Sequence, residues 1–202
     1  MEKMEQFNKI PRLSRDMVIT EKIDGSNGQI YIEAQTDMKW LIDTLAEAEQ
    51  YILAQIDGYN IYAGSRKRWL DCSSKGDNMG FAKWVKENAK ELLKLGTGRH
   101  FGEWYGNGIQ RKYGLDEKRF ALFNVNKWSD DELRPKCCEV VPVLYEGMFD
   151  TVKIAEVLEK LRIDGSSAVK GYLNPEGIVI YHKSAGKLFK KTIMDDEKPK
   201  GK

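Results

Sequence analysis

The hydrophobic positions of this chain recur at helical spacing in some segments and concentrate in short runs in others, which predicts two kinds of element. Three segments carry apolar side chains at three- and four-residue spacing, the pattern of an amphipathic helix. They run from Asp37 to Ile56, from Asn78 to Leu95 and from Asp150 to Arg162. Gly58 and Gly96 lie beyond the ends of the first two, where a helix commonly ends. We therefore expect three helices whose apolar stripes face a core.

Between these segments lie short runs rich in β-branched and aromatic residues, which are typical of β-strands. Glycine-bearing turns separate several of the runs. We expect strands at Met17–Lys22, Gln29–Glu33, Asn60–Ala63, His100–Tyr105, Arg119–Val125, Cys138–Val143, Gly177–His182 and Leu188–Thr192. Many short strands, with helices outside a regular alternation, predict an α+β domain built on antiparallel sheets.

The 202 residues suffice to bury a real core, and no internal repeat or glycine/serine linker divides them. We expect one domain over residues 1–194, with a helical insert at about 37–57. Residues 195–202 are charged and contain proline, which is typical of a frayed tail.

Composition narrows the class of protein. Hydrophobic residues make up 41% and charged residues 32%, as in soluble globular proteins. The net charge of +2 does not by itself indicate a nucleic-acid binder, so any such surface must be local. Basic residues cluster at Arg66–Arg68, at Arg111-Lys112 and from Lys183 to Lys191. Each cluster could equally be an ordinary solvated face.

Cysteine and histidine are too sparse to suggest a metal cluster or a disulfide framework. Cys72, Cys137 and Cys138 are an odd set without metal-ligand spacing, which favours a reducing compartment. We expect Cys137 and Cys138 to fill space in a strand. His100 and His182 are the two histidines. No signal peptide and no apolar run long enough to span a bilayer is visible, so we expect a cytoplasmic protein without membrane contact.

The segment from Glu21 to Asn27 carries the most chemical information. Lys22 ends an apolar strand, and a tight Asp24-Gly25 turn follows it. This arrangement holds an amine at a strand end beside backbone groups that a glycine turn exposes. A lysine amine can attack phosphorus once it is deprotonated. The same four-residue pattern is also common in plain hairpins, so further residues must decide.

Four further segments fit one site with this lysine. Ser65-Arg66 follows a predicted strand, and Phe101–Trp104 places the carboxylate of Glu103 in an otherwise apolar strand. Pro175–Ile180 places Glu176 at a strand start, and Leu188–Lys190 places a cation in the last strand. Two carboxylates, two lysines and an arginine in strands predicted to share a sheet indicate a functional site.

In order and rough spacing, these segments resemble the motifs of the covalent nucleotidyltransferases, which are the ATP-dependent DNA and RNA ligases and the messenger-RNA capping enzymes. The resemblance covers about Val18 to Thr192 and is closest to the phage-type RNA ligases, through Glu21 and Ser26-Asn27. It implies a nucleotidyltransferase (ATP-grasp-like ligase adenylation) fold. The segments similar to motifs I, Ia, III, IIIa, IV and V are Lys22–Asn27, Ser65-Arg66, Phe101–Trp104, Arg119–Val125, Glu176–Val179 and Leu188–Lys190.

The resemblance implies a role for each residue that matches a motif. Lys22 would be the nucleophile that attacks the α-phosphate of ATP and expels pyrophosphate. Lys190 would bind that phosphate, and Glu176 would support a magnesium ion and keep Lys22 in place. Asp24 and Asn27 would contact the nucleotide.

The resemblance also implies contacts with the base, the ribose and the polynucleotide end. Glu21 would help read the adenine edge, while Phe123 and Val179 would pack on the two faces of the base. Glu103 would bind the ribose hydroxyl, and Arg66 would contact the nucleotide or the polynucleotide end.

The chain departs from the motif pattern at two points. Motif V commonly has lysines two residues apart, but here Leu188 stands two before Lys190. Lys187 is a further nucleotide-binding candidate, and which of Lys187 and Lys190 is the main motif V lysine stays open. An aspartate often follows the motif IIIa aromatic, and here it is Asn124.

About ten residues follow Thr192, too few for the OB-fold domain that DNA ligases and capping enzymes usually add, and about twenty precede Lys22, too few for a nicotinamide-binding domain. This favours ATP over NAD. It also leaves polynucleotide binding to the core, the helical insert or an accessory nucleic-acid-binding protein.

The sequence therefore predicts an ATP- and magnesium-dependent polynucleotide ligase in a bacterial or phage-infected cell. It would transfer AMP from Lys22 to a 5′-phosphate, which a 3′-hydroxyl then attacks, and RNA is the favoured polynucleotide. A DNA ligase core and a GTP-dependent capping guanylyltransferase are the alternatives of the same class. A non-catalytic nucleic-acid-binding module is the alternative of another class.

Overall fold

A computed structural model describes residues 4–5, 7–35, 50–194 and 196 of the chain. Their contacts divide into two compact units. The first unit comprises Met1–Lys22 and Pro142–Lys202, and the second comprises Ile23–Val141. Within the described residues, no helix is long and apolar enough to cross a membrane.

The first unit is built on a four-stranded antiparallel sheet of order β10-β9-β1-β8. Its strands are β1 (Asp16–Lys22), β8 (Val143–Met148), β9 (Gly177–His182) and β10 (Lys187–Thr192). The 14-residue helix α4 (Thr151–Asp164) is capped by Asp150, whose side chain accepts a hydrogen bond from the Val152 N–H at 2.7 Å. The core of the unit joins the helix to the sheet through Met17, Ile19, Leu161, Ile178 and Ile180.

The second unit is built on a six-stranded sheet of order β3-β4-β2-β5-β6-β7, antiparallel except for the β6/β7 pair. Its strands are β2 (Ser26–Ala34), β3 (Ala54–Ile56), β4 (Tyr59–Gly64), β5 (Gly98–Gly106), β6 (Lys118–Leu122) and β7 (Glu139–Val140). Its helices are α1 (Phe81–Glu87), α2 (Ala89–Leu92), a 3-10 turn at Leu93–Leu95 and α3 (Val125–Trp128).

Side chains alternate between the two faces of this larger sheet. On one face Ile30 and Ile32 pack into the core with α1, whose Phe81 lies 5.0 Å from the Phe120 ring and 5.5 Å from the Trp104 ring. The opposite face, which we call the outer face, carries the intervening residues. In β2 these are Asn27, Gln29, Tyr31 and Glu33.

The structure confirms the α+β class and most of the predicted strands. The predicted helix Asn78–Leu95 begins later, at Phe81, and it breaks at Asn88. Its first three residues, Asn78, Met79 and Gly80, have positive φ values of 49°, 58° and 89°, which a right-handed helix excludes.

Three further predicted elements are wrong in their bounds or type. The described end of the predicted helix Asp37–Ile56 is the strand β3, paired with β4, and residues 36–49 lie outside the described residues. The strand predicted to reach Val125 ends at Leu122, because Asn124 caps α3 by accepting from the Lys127 N–H at 3.3 Å.

The strand predicted over Cys138–Val143 is two strands, because Pro142 lies between β7 and β8 and cannot donate to a ladder. Cys137 and Cys138 precede β7, so they do not lie in a strand, although Cys138 is buried in the core. The predicted tail falls outside the described residues, apart from Asp196.

Candidate functional site

Lys22 and Glu176 form a buried ion pair in the first unit. Lys22 is the last residue of β1, and its Nζ donates to Glu176 Oε2 at 2.5 Å. The side chains are 19% and 5% exposed, so the pair is largely withdrawn from water. The contact joins residues 154 positions apart, which β1 and β9 bring together by pairing Lys22 with Gly177.

The glycine that follows Glu176 is required by the backbone. Gly177 has a φ of 157°, and a Cβ at this position would lie 2.3 Å from the Lys191 carbonyl oxygen. Absence of a side chain therefore lets β9 start directly against β10. This places Glu176 at the strand start beside Lys22.

The register of β9 and β10 separates the two candidate lysines of the last strand. Lys190 pairs with Val179, which pairs with Thr20 on the other side, while Lys187 pairs with His182. Directly opposed residues share a face and neighbours alternate, so Lys190 and Val179 share the face that carries Lys22. Lys187 lies on the opposite face. Leu188, 69% exposed, lies on the Lys22 face where the motif usually has a lysine.

Glu21 also faces away from Lys22, and its carboxylate is fully engaged. Ser166 Oγ donates to Oε1 at 2.6 Å, and the N–H groups of Ser167 and Ala168 donate to Oε2 at 2.7 and 2.9 Å. Burial raises the pKa of the Glu21 carboxyl, against the opposing effect of these three hydrogen bonds. Its contact with adenine stays a prediction, but in this structure Glu21 fixes the 166–168 loop.

In the second unit, three contacts fix the Asp24-Gly25 turn. Asp24 Oδ2 accepts from Arg111 Nε at 3.0 Å, and the Asp24 N–H donates to Tyr113 Oη at 2.8 Å. The Gly25 N–H donates to Glu103 Oε1 at 3.1 Å. A Cβ on Gly25 would lie 2.4 Å from the Trp104 carbonyl oxygen, so the turn packs too closely on β5 for any other residue.

Glu103 and Asn27 are direct partners across β5 and β2, on the outer face. Two residues before Glu103, Phe101 is 47% exposed on the same face, and its carbonyl accepts from the Phe123 N–H at 2.9 Å. Phe123 is 40% exposed, as a ring that stacks on a base must be. The structure thus brings Asn27, Glu103 and Phe123 together on one sheet face.

Arg66 is exposed in the loop after β4. The Ser65 N–H donates to the Arg68 carbonyl at 2.9 Å, which closes a tight turn around it. The Arg68 guanidinium donates hydrogen bonds to the carbonyls of Lys75 and Gly76, at 3.2 and 3.3 Å.

Among the described residues, no group of three or more histidine, cysteine, aspartate or glutamate side chains could hold a metal ion. Magnesium, however, is usually bound through one or two carboxylates together with substrate phosphates and water. The buried carboxylate of Glu176 fits a site in which the substrate phosphates and water supply the other magnesium ligands.

Sequence reasoning missed the residues that hold the motifs in place. Ser166, Arg111 and Tyr113 act on Glu21 and Asp24 from 145, 87 and 89 positions away. Arg111 was visible only as part of a basic cluster. In the sequence, Gly165-Ser166-Ser167 looks like an ordinary loop after a helix. Nothing in it indicates that the Ser166 hydroxyl and the Ser167 N–H donate to the Glu21 carboxylate.

A family model described as RNA ligase matches residues 15–192 of the chain. Solved structures of a Naegleria gruberi RNA ligase also match. A variant with AMP and Mn has a TM-score of 0.57 at 18% identity, covering 89% of this chain and 50% of that chain. A variant with ATP and Mn has a TM-score of 0.56 at 18% identity, covering 89% and 49%.

The present chain thus spans about half the length of those ligase structures, and at this identity the likeness shows the fold. A search of curated proteins found no match.

Proposed function

Because this chain belongs to the RNA ligase family, we propose that it is an ATP-dependent RNA ligase that acts through a covalent lysyl–AMP on Lys22. The observation that carries the proposal is the buried Lys22–Glu176 pair, on a sheet face that also carries Val179 and Lys190. A buried amine beside one carboxylate, with a second cation on the same face, suits attack on a phosphate.

In the first step the Lys22 amine attacks the α-phosphorus of ATP. A P–N bond forms, the bond from that phosphorus to the bridging oxygen breaks, and pyrophosphate leaves. The Lys22 ammonium must first lose a proton to solvent, which the positive charge of Lys190 would favour, while the Glu176 carboxylate, 2.5 Å from Nζ, stays ionised and holds the amine in place. Lys190 would stabilise the negative charge that develops on the α-phosphate oxygens.

Glu176 would also support a magnesium ion that arrives on the phosphates of ATP and supplies positive charge to the departing pyrophosphate. The fold likeness to a Naegleria gruberi RNA ligase with ATP or AMP and Mn supports this pairing of nucleotide and divalent ion.

In the second step an oxygen of the polynucleotide 5′-phosphate attacks the phosphorus of lysyl–AMP. The P–N bond breaks, Lys22 regains its proton, and a 5′-adenylylated end forms. In the third step a 3′-hydroxyl attacks the 5′-phosphorus, a phosphodiester forms and AMP leaves.

Nucleotide contacts in the second unit complete the proposal. Phe123 would stack on the base, and Glu103 would bind the ribose hydroxyl while its hydrogen bond holds the Gly25 turn. Asp24 would act through its pair with Arg111, which stiffens the turn after Lys22.

The proposal is tested by incubating the protein and magnesium with ATP labelled at the α- or the γ-phosphate, and separately with α-labelled GTP. We expect acid-labile protein label from α-labelled ATP alone, which 5′-phosphorylated RNA then removes. Equal labelling by GTP would favour a capping guanylyltransferase, and no covalent label from any nucleotide would favour a binding module.

A further inference from the structure

Beyond the nucleotide residues, the outer face of the second unit carries a cluster of three aromatic rings and one arginine. Tyr31, Tyr62 and Trp69 have ring centroids 5.6, 5.9 and 5.7 Å apart. The Arg99 guanidinium carbon lies 4.6 Å from the Tyr31 centroid and 5.1 Å from the Trp69 centroid. We call these four residues the aromatic–arginine cluster. None of them is used by the proposed reaction.

The rings of the cluster are held in fixed positions. Glu33 accepts from the Tyr31 hydroxyl at 2.8 Å and from the Tyr62 hydroxyl at 2.7 Å. Tyr62 is buried, whereas Tyr31 and Trp69 are half-buried and Arg99 is exposed. The inner part of the cluster therefore packs the fold, and the outer part meets solvent.

Hydrogen bonds connect the cluster to the basic loop after β4. Arg99 Nη1 donates to Gln29 Oε1 at 3.1 Å, and Gln29 Nε2 donates to the Ser65 carbonyl at 3.1 Å. Ser65 directly precedes Arg66 and Lys67, which are both exposed. Hydrogen bonds thus link Arg99, which lies over the Trp69 ring, to a loop with two exposed cationic side chains.

The charges of this surface favour an anionic partner. Within the described part of the chain, Arg99 forms no ion pair, and the nearby carboxylate of Glu33 is occupied by two tyrosine hydroxyls. Proteins commonly bind single-stranded nucleic acids through aromatic rings and arginine planes. The unpaired bases stack on these flat side chains, and the cationic groups contact the phosphates.

The position of the cluster links it to the nucleotide residues of the same unit. Arg99, Phe101 and Glu103 follow one another at two-residue steps on the outer face of β5. Two such steps span about 13 Å, so a chain that ends beside Glu103 reaches the cluster within a few nucleotides. Phe101, 47% exposed, lies between them as a further stacking surface.

We propose that the rings of the aromatic–arginine cluster bind unpaired bases of the RNA strand to be joined, while the charges of Arg99, Arg66 and Lys67 contact its phosphates. The inference rests on the proposed ligase function and assigns the substrate strand a place on the second unit. Duplex RNA would present its bases already stacked, so the cluster selects single-stranded segments.

The test measures binding of a fluorescent, 5′-phosphorylated single-stranded RNA by anisotropy at several salt concentrations. Arg99→Gln removes the charge and the stacking plane, Arg99→Lys keeps the charge alone, and Trp69→Leu removes one ring. Lys90→Gln is the matched control, because Lys90 is exposed on α2, which packs on the other face of the sheet.

We expect Arg99→Gln and Trp69→Leu to weaken binding roughly tenfold each. In Arg99→Gln, log affinity should also fall less steeply with log salt, with a slope smaller in magnitude by about 0.7. A purely structural role would leave this slope unchanged. Arg99→Lys should keep the slope but lose affinity. Lys90→Gln should match the unmodified protein.

Each preparation is also labelled with ATP and melted, so that unfolding or loss of the nucleotide step is told apart from loss of RNA binding. RNA carrying photoreactive thiouracil should crosslink to the peptides of Tyr31 or Trp69. Unchanged affinity and salt slope in Arg99→Gln, with crosslinks elsewhere, would overturn the inference and leave this face to a protein partner. Absence of ATP labelling in the unmodified protein would instead contradict the proposed function.

Discussion

At the scale of single residues, the clearest distinction lies on β10. Lys187 and Lys190 are both exposed, yet the strand register places them on opposite faces of the sheet. Their separation of three residues explains this, since side chains alternate along a strand. The sequence leaves open which of the two would serve the α-phosphate, and we propose Lys190 because it shares a sheet face with Lys22.

We therefore expect Lys190→Ala to slow formation of lysyl–AMP by about 10²–10³-fold, the effect of losing one group that stabilises developing charge. Lys187→Ala is the matched control and should change the rate little. Single-turnover labelling with α-labelled ATP measures both. A larger loss in Lys187→Ala than in Lys190→Ala would contradict the assignment.

Glu21 gives a prediction in pH. Burial raises the pKa of its carboxyl above the ordinary value of 4.5 in the folded state. As pH rises, the Glu21 carboxyl therefore ionises in the unfolded chain before it ionises in the folded protein. The free energy of unfolding falls over this range, until the pH passes the pKa of the folded state. Below 4.5 the proton is bound in both states and the loss vanishes.

The measurement compares urea midpoints of the unmodified protein and Glu21→Gln from about pH 4 to pH 8. The stability of the unmodified protein relative to the variant should fall as pH rises above 4.5. A difference between the two that grows in favour of the unmodified protein with rising pH would show that the hydrogen bonds from the 166–168 loop outweigh burial.

At the scale of elements, local pattern predicted strands better than ends of helices. A short run of β-branched and apolar residues suffices to locate β1 or β9, because each strand is buried through its own side chains. The positive φ values at Asn78 and Met79 follow from tertiary contacts, since the Met79 carbonyl accepts from Trp104 Nε1 at 3.1 Å and from Lys118 Nζ at 2.8 Å. Nothing in the local sequence announces those donors.

The candidate site also has a part that the sequence predicts and a part that only the structure reveals. Motif order indicated Lys22 and Glu176, and the pairing of β1 with β9 brings them into contact. The sequence gives no sign of the aromatic–arginine cluster, because Tyr31 lies within one predicted strand and Arg99 just before another, and only the sheet register makes them neighbours.

Gly177 tests how β9 positions Glu176. Gly177→Ala places a Cβ 2.3 Å from a backbone oxygen at a φ of 157°, whereas Gly171→Ala, at a φ of 86°, places a Cβ with nothing within 4 Å. Backbone strain of about 1–3 kcal/mol is common to both. The clash should cost Gly177→Ala about 1–3 kcal/mol more.

Urea unfolding of the two variants measures that difference, and labelling with ATP should fall further in Gly177→Ala. Equal destabilisation of both would mean that β9 and β10 separate easily, and that the glycine does not fix Glu176.

At the scale of the whole molecule, a net charge of +2 leaves polynucleotide binding to local surfaces. Contacts between exposed cations and phosphates release counterions and weaken steeply with salt. The Lys22–Glu176 pair is largely buried, so the nucleotide step should be screened less. Raising salt should therefore suppress RNA joining well before it suppresses lysyl–AMP formation.

Both steps can be followed on one preparation from low to moderate salt, with a nicked duplex carrying a 5′-phosphate and with single-stranded RNA. A parallel decline of the two steps would show that polynucleotide binding is not the salt-sensitive step.

The central claim is that Lys22 carries AMP. The most direct measurement incubates the protein with ATP and magnesium, digests it under conditions that preserve a P–N bond, and maps the added AMP by mass spectrometry. We expect the modification on the peptide that contains Lys22, and none anywhere in Lys22→Ala, whose folded state is checked by thermal melting because the variant leaves the buried Glu176 carboxylate without its ion pair. AMP on another residue, or undiminished labelling of Lys22→Ala, would contradict the account.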